Sequence, residues 1–360
     1  MRVGNESVVA STSKHKELVL KGSNMSYDSL VSRWRFEDMA FTVLRATYFK
    51  RTNRSFEDSD YESFGIINEK GELTNAGALL ADYSPVRHSR LFCTRWNGLD
   101  KANGVIDALD DEEYSGSLVT LLQAGLDFVR RNSKKAWSKT PDNRLEYPEY
   151  PERAVEEGLV NALIHRNYLE LGSEVHIDMY DDRLEIYSPG GLMDGGSIKD
   201  MDIMNMASRR RNPVLADIFS RLKYMERRGS GFRKIMSAYK GHDGYTEGMN
   251  PIFSTPWDSF VLVLPKFNID GVDGVFISSD DVSDYSGQTG GQTGGQTDVD
   301  TTMAEVLRLI KENPQITRKV LSQTIGVASS AIQKHINRLK AEGVIRRVGG
   351  DYGGHWEVMQ

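Results

Sequence analysis

Two polar side chains within an otherwise apolar helical segment are the first candidates for chemistry. Glu157 and Asn161 lie in PERAVEEGLVNALIHRNYL, four residues apart, so a helix places both on one face. The other positions are apolar nearly all round, which predicts a buried helix, and a buried carboxylate and amide need polar partners. The pair by itself fits a helix-to-loop hydrogen bond and a functional site equally well.

Two glycine turns favour the functional interpretation. The first, Ser188-Pro189-Gly190-Gly191, directly follows the strand-like LEIY, and the second, Gly229-Ser230-Gly231, directly precedes the helical FRKIMSAYK. A glycine turn at a helix N-terminus leaves backbone N–H groups free, and the helix dipole favours an anion there. The order of helix, strand pair, first turn, connecting segment and second turn is more specific than either turn alone.

Three consecutive arginines, Arg209, Arg210 and Arg211, lie between the two turns. A run of arginines is usually a solvated surface. In this position the guanidinium groups could also reach the oxygens of a triphosphate. Both interpretations remain open at this stage.

The order of these motifs resembles the GHKL fold shared by DNA gyrase B, Hsp90, histidine kinases and MutL. More closely, EGLVNALIHRNY, DDRLEIYSPGGL, RRRNPVLADIF and ERRGSGFRKI resemble the RecG-like or Schlafen-associated ATP-binding regulators of bacteria and archaea, over roughly residues 25–265. The resemblance implies ATP and Mg²⁺ as cofactors. It makes Glu157 the catalytic residue that orients the attacking water, and Asn161 the Mg²⁺ ligand. The glycine turns would then hold the nucleotide, with Gly190 and Gly191 on the adenine side and Gly229, Ser230 and Gly231 around the phosphates.

One position departs from that pattern. Where GHKL ATPases place the aspartate that accepts a hydrogen bond from the adenine amino group, this sequence has Ser188. A hydroxyl also accepts that bond, but more weakly than a carboxylate. Weak binding, a base that is not read and a vestigial pocket are therefore alternatives. No G-x-x-x-x-G-K-[S/T] sequence occurs, so a P-loop helicase motor is not expected.

The composition limits where the protein works and what it contacts. Its 360 residues include one cysteine, Cys93, which excludes an internal disulfide framework and fits a reducing compartment. No run of 18 apolar residues and no signal-peptide core occur, so we expect a cytoplasmic protein without a membrane partner. The net charge is −6, yet residues 300–360 carry nine Lys/Arg against six Asp/Glu. A basic end on an acidic body suggests that only this end meets nucleic acid.

That basic end has the pattern of a winged helix-turn-helix. Apolar positions that include Val306, Val320, Leu321 and Ile332 predict the inner faces of three helices, which are followed by VIRRV, GGDYGG and HWEV as a hairpin. Residues that would contact double-stranded DNA lie on the third helix and on the wing. They are Ser329, Ser330, Gln333, Lys334, Asn337, Arg338, Arg346 and Arg347. A winged helix used only for protein contacts is the alternative.

The predicted fold class is α+β multidomain, with a GHKL-like α/β sandwich and a C-terminal winged helix-turn-helix. The expected parts are a tail of an AlbA-like domain or an ordinary terminus (1–24), a mixed α/β segment (25–150), the ATP-binding domain (151–269), a Gly/Gln/Thr linker (270–302) and the DNA-binding domain (303–360).

The predicted function is that of an ATP-binding transcription regulator, in which a nucleotide-sensing body governs a DNA-binding head. A homodimer would raise DNA affinity through two half-sites. Two alternatives remain: a slow GHKL-type ATPase whose winged helix docks partners, and a scaffold with a vestigial pocket.

Overall fold

The computed structural model describes two compact units, Met1–Ser286 and Gly287–Gln360, which are treated separately below. The described residues are 2–3, 6–7, 12–101, 106–139, 144–193, 198, 209–226, 229–256, 258–267, 306–311, 313–325, 332–333, 335–336, 339–340, 344–348 and 355–359. The expected linker, residues 270–302, lies outside them. No described helix is long and apolar enough to cross a membrane.

The secondary structure alternates helices and strands along most of the chain. The helices are α1 (Thr12–Gly22), α2 (Thr42–Thr52), α3 (Asp58–Ser63), α4 (Asn75–Leu80), α5 (Leu118–Arg131), α6 (Glu152–Ile164), α7 (Pro213–Arg221), α8 (Gly231–Lys240) and α9 (Arg318–Ile325). The strands are β1 (Arg2–Val3), β2 (Glu6–Ser7), β3 (Arg90–Trp96), β4 (Ala108–Ser115), β5 (Lys135–Lys139), β6 (Arg144–Pro148), β7 (Val175–Met179), β8 (Arg183–Pro189), β9 (Ile252–Ser254), β10 (Ser259–Pro265), β11 (Ile345–Val348) and β12 (His355–Val358).

A six-stranded sheet in the order β4-β3-β7-β8-β10-β9 forms one layer of the first unit. Its neighbours are antiparallel except β3 and β7, which pair in parallel from Leu91 opposite Val175 to Arg95 opposite Met179. Helices α5 and α6 pack on this sheet and on each other. Helix α8 packs on α6 and, through Phe232, on Phe253 and Phe260 of β9 and β10, so the three helices form the second layer. The apolar side chains between the layers make one continuous core. The first unit is therefore an α/β sandwich, as the sequence predicted.

The sandwich begins earlier in the chain than the sequence indicated. The expected boundary at residue 150 falls inside it, because β3, β4 and α5 belong to the segment 25–150 and complete the same sheet and core. The parallel pairing of β3 with β7 joins residues about 84 positions apart. Hydrophobic periodicity reports local structure only, so it contains no signal for such a pairing.

Gly125, in the middle of α5, tests this shared core. A Cβ at this position would lie 2.6 Å from Leu159 Cδ2, 2.8 Å from Leu91 Cδ2 and 3.0 Å from Ile177 Cδ1. We expect Gly125→Ala to lower the free energy of unfolding by about 1–3 kcal/mol, because overpacking exceeds the gain in helix propensity. Urea denaturation measures the change. Gly22→Ala is the control, since nothing lies within 4 Å of its Cβ, and equal stability of the two variants would contradict the shared core.

The second unit has its own small core. Helical residues 306–311, α9 and the helical residues 332–333, 335–336 and 339–340 surround it, and β11 pairs with β12 in an antiparallel hairpin. The core side chains are Val306, Leu309, Ile310, Ile316, Leu321, Ile332, Ile336, Leu339 and Ile345. Val320, which the periodicity placed inside, is exposed. This arrangement is the winged helix-turn-helix that the sequence predicted.

Candidate functional site

A pocket of about 380 Å³ lies between α6, the end of β8 and the start of α8. Such a volume suits a small-molecule ligand. Its walls are largely apolar, with a few convergent polar groups. The lining residues are Glu157, Asn161, Ala162, His165, Ser188, Gly190, Gly191, Leu192, Met193, Arg209, Arg211, Met225, Glu226, Gly229, Ser230, Gly231, Phe232 and Phe260. The pocket thus brings together nearly all residues that the sequence proposed for a nucleotide site, and Arg210 is not among those that line it.

Helix α6 supplies one wall of the pocket. Pro151 precedes its first residue, and proline is tolerated there because an N–H at the start of a helix has no intrahelical acceptor. Glu157 and Asn161 are on the same face, as their spacing predicted, and His165 follows four residues later at the end of the helix. All three line the pocket, so one stripe of α6 carries a carboxylate, an amide and an imidazole over about 12 Å of helix rise.

The start of α8 lies against this stripe. A Cβ on Gly231 would be 2.9 Å from Glu157 Oε1 and 3.0 Å from Asn161 Nδ2, so only glycine permits this approach. Gly229 has a φ of 67°, a left-handed conformation that favours glycine. The first N–H groups of a helix have no intrahelical acceptor, and they attract anions. The glycine turn therefore puts the N-terminal end of α8, where free N–H groups can attract an anion, beside Glu157 and Asn161.

Glu157 is a buried carboxylate in contact with the ammonium of Lys234. Burial raises its pKa above the ordinary value for glutamate, while the ammonium of Lys234 opposes that rise. Lys234 Nζ lies 3.5 Å from Glu157 Oε2 and 3.2 Å from Glu226 Oε1. The positive charge of Lys234 on α8 thus offsets part of the negative charge of the Glu157 carboxylate.

Ser188 occupies the position of the missing aspartate, at the end of β8. Its Oγ donates a hydrogen bond to the carbonyl oxygen of Ala162 at 2.7 Å, and the residue is only 3% exposed. The hydroxyl proton is therefore engaged with α6. The oxygen lone pairs remain as acceptors for a ligand in the pocket.

The first glycine turn is held by Arg211. Its Nη2 donates to the carbonyl oxygen of Gly191 at 2.6 Å, and its Nη1 to those of His165 at 2.6 Å and Gly190 at 3.5 Å. The sequence left Arg211 as a candidate for binding phosphates, but its guanidinium is engaged with backbone oxygens in the structure. Gly190 has a φ of 103°, and its Cβ would lie 2.6 Å from Asn167 Cβ, so this turn also requires glycine.

His165 is one of the pocket residues that sequence reasoning missed, as are Glu226 and Phe260. Burial lowers its pKa to about 4, and the cations Arg211 and Arg210 act in the same direction, so the imidazole is neutral near pH 7. The described residues provide no hydrogen-bond partner for this ring. The signal was present in the sequence, because His165 continues the four-residue spacing of Glu157 and Asn161.

In the winged-helix unit, the described residues include three of those predicted to contact DNA: Gln333, Arg346 and Arg347. Gln333 Oε1 accepts a hydrogen bond from Arg318 Nη1 at 2.9 Å, and Arg346 on β11 forms an exposed ion pair with Glu357 on β12 at 2.6 Å. The backbone of Arg347 pairs with that of Trp356 in the wing hairpin. Ser329, Ser330, Lys334, Asn337 and Arg338 lie outside the described residues.

Part of each unit matches a known protein family. Residues 172–264 match the family described as "Putative ATP-dependent DNA helicase recG C-terminal", and residues 300–346 match that described as "Winged helix-turn-helix DNA-binding". The RecG C-terminal-type match begins after Glu157 and Asn161, and the structure adds α6 to that domain through the shared pocket.

Among solved structures, the DIP2311 protein from Corynebacterium diphtheriae has a TM-score of 0.56 and 18% sequence identity. The similarity covers 99% of this chain and 69% of that protein. At this identity it supports the fold alone. No curated protein sequence matches the chain significantly.

The close approach of α8 to α6 makes Gly231 a sensitive position in the RecG C-terminal-type domain. If the pocket binds Mg-ATP, as the sequence predicts, Gly231→Ala should weaken that affinity at least about tenfold, because the added methyl would displace Glu157, Asn161 or the helix N-terminus. Calorimetric titration measures the affinity. A thermal unfolding midpoint close to that of the unmodified protein would show that the fold is kept. Unchanged affinity would contradict a ligand position at the start of α8.

Proposed function

We propose that this protein is an ATP-binding transcription regulator, in which nucleotide binding to the first unit governs DNA binding by the second. One observation carries the nucleotide assignment: Glu157 and Asn161 lie against the N-terminus of α8 inside a pocket of ligand size. The DNA-binding winged-helix domain in the same chain supports the regulatory role.

The donor set suits a magnesium ion bound together with a nucleotide. Mg²⁺ generally takes one or two protein oxygens and fills its remaining positions with waters and substrate phosphates. The amide oxygen of Asn161 would be the protein ligand, and the ion would neutralise phosphate charge. The described residues contain no group of three or more His, Cys, Asp or Glu side chains that could hold a metal without such a substrate.

The second candidate function is slow ATP hydrolysis. Glu157 is the only carboxylate on the pocket face of α6 that also touches the start of α8, which suits a base that orients water. Lys234 pairs with that carboxylate and reduces its basicity. This pairing favours slow turnover, as expected for a sensor of nucleotide rather than a motor.

Nucleotide binding is tested by calorimetry with Mg-ATP. We expect measurable binding to the full chain, and at least about tenfold weaker binding by Asn161→Ala, because the change removes the metal ligand. Asn250→Ala is the control, since that amide donates to the carbonyl of Glu247 and does not line the pocket. A wild-type chain that binds no Mg-ATP would instead favour the scaffold with a vestigial pocket.

Coupling between the units requires a second measurement. If nucleotide governs the winged helix, the affinity of the full chain for duplex DNA must differ with and without a non-hydrolysable Mg-ATP analogue. The ratio of the two DNA affinities gives the coupling free energy through its logarithm. Asn161→Ala should bring this ratio closer to one at the same analogue concentration. Identical DNA affinities at saturating analogue would contradict the regulatory role while leaving nucleotide binding intact.

A further inference from the structure

The two ends of the pocket differ in chemistry. At one end, Gly231 brings the N-terminus of α8 to Glu157 and Asn161, which suits phosphates. At the other end lie His165 and the Gly190–Gly191 turn, which Arg211 joins. Ser188 lies beside them, with Phe260 directly opposite across the β8–β10 pair and stacked on Phe232, the residue that follows Gly231. An aromatic wall and hydrogen-bonding groups at its edge suit a planar base.

The side chains left to contact a base at this end are uncharged, because the guanidinium of Arg211 is engaged with the carbonyl oxygens of His165, Gly190 and Gly191. The hydroxyl of Ser188 gives its proton to Ala162 and offers lone pairs to the pocket. The imidazole of His165 belongs to the lining of the pocket and has no hydrogen-bond partner among the described residues. A neutral imidazole donates through one nitrogen and accepts through the other, and a change of tautomer exchanges these roles.

We propose that His165 reads the base edge of the nucleotide and that the pocket accepts 6-amino and 6-oxo purines with similar affinity. The inference rests on the proposed nucleotide-binding function. A site rejects an analogue strongly when the exchange leaves one of its buried polar groups unpaired. Here the imidazole satisfies either an amino or a carbonyl group by tautomer exchange. Mg-GTP is therefore expected to bind within about tenfold of Mg-ATP.

A substitution that fixes an acceptor at this position tests the assignment. His165→Asp introduces a carboxylate that accepts from an amino group and repels a carbonyl oxygen, and the positive charges of Arg211 and Arg210 nearby keep it ionised. We expect this variant to keep Mg-ATP binding and to bind Mg-GTP at least about tenfold more weakly than the unmodified chain. His165→Asn, which keeps one donor and one acceptor, should bind both purine nucleotides within a few-fold of the unmodified chain.

Magnesium tripolyphosphate separates the two ends of the pocket. His165→Leu should weaken both purine nucleotides and leave tripolyphosphate binding unchanged, because the change is confined to the base end. His355→Leu, on the exposed wing strand, is the matched control and should alter none of these affinities.

The outcomes distinguish the inference from the function on which it rests. A wild-type chain that binds Mg-ATP but rejects Mg-GTP by 100-fold or more overturns the inference alone. So does equal loss of purine nucleotide and tripolyphosphate binding in His165→Leu, or a His165→Asp variant whose two purine affinities fall together. Failure of the unmodified chain to bind any of the three probes overturns the proposed nucleotide function as well.

Discussion

Replacing Glu157 with glutamine is expected to lower the rate of ATP hydrolysis by at least about 100-fold, the contribution typical of a positioned general base. Glutamine keeps the size and the hydrogen-bonding oxygen of the side chain but accepts no proton. Nucleotide affinity should change little, because Asn161 and the start of α8 remain in place. Single-turnover phosphate release, together with calorimetric binding, measures the two effects separately.

The pH dependence of hydrolysis provides a second readout of Glu157. Burial raises its pKa, so the base becomes protonated at a higher pH than an ordinary glutamate and hydrolysis should fall as the pH drops through that raised value. The ammonium of Lys234 opposes the rise. Lys234→Met is therefore expected to move the acid limb of the rate profile to higher pH, whereas Lys240→Met, an exposed change on the same helix, should leave it in place.

Two results would contradict this role. One is a Glu157→Gln variant that hydrolyses ATP at the rate of the unmodified chain, which would assign any activity to another group. The other is an acid limb that Lys234→Met leaves unchanged, because the two side chains are in contact. A complete absence of hydrolysis in the unmodified chain, with Mg-ATP bound, would leave the protein as a nucleotide sensor.

Residues 303–360 alone are expected to fold and to bind duplex DNA, and a chain that ends at residue 302 should lose at least about 100-fold in affinity for the same duplex. The winged-helix unit has its own core and a basic charge balance that is opposite to that of the body. Its affinity should fall steeply with salt, because Lys and Arg contacts to phosphates release counterions. Mobility shifts at several salt concentrations measure the effect.

Two substitutions in the β11–β12 wing are expected to change the affinity for DNA in opposite directions. Arg346→Ala should weaken DNA binding uniformly across sequences, since a phosphate contact does not read bases. The slope of log affinity against log salt concentration should also become shallower by about one. Glu357→Gln should strengthen binding, because Glu357 pairs with Arg346 in the free protein and adds negative charge to the wing. Absence of any shift by a folded fragment would favour a winged helix that docks proteins.

The sequence by itself determined the local parts of this protein. Glu157 and Asn161 share a helical face because the spacing of four residues is close to one turn. Gly190 and Gly229 adopt positive φ values, which only glycine takes up at little cost. The apolar periodicity of residues 303–358 and the two strands around Asp181-Asp182 likewise follow from local patterns, so both domains could be predicted.

The tertiary structure alone decided which distant groups meet. The parallel pairing of β3 with β7 brought the middle segment into the sandwich, and packing of α9 left Val320 exposed. The residue types alone did not predict what three side chains do: Arg211 donates hydrogen bonds to backbone oxygens, Ser188 donates to Ala162, and His165 stays neutral in the pocket. Each of these properties depends on burial and on contacts made in the folded chain. The spacing of neighbouring residues encodes neither the burial nor the contacts.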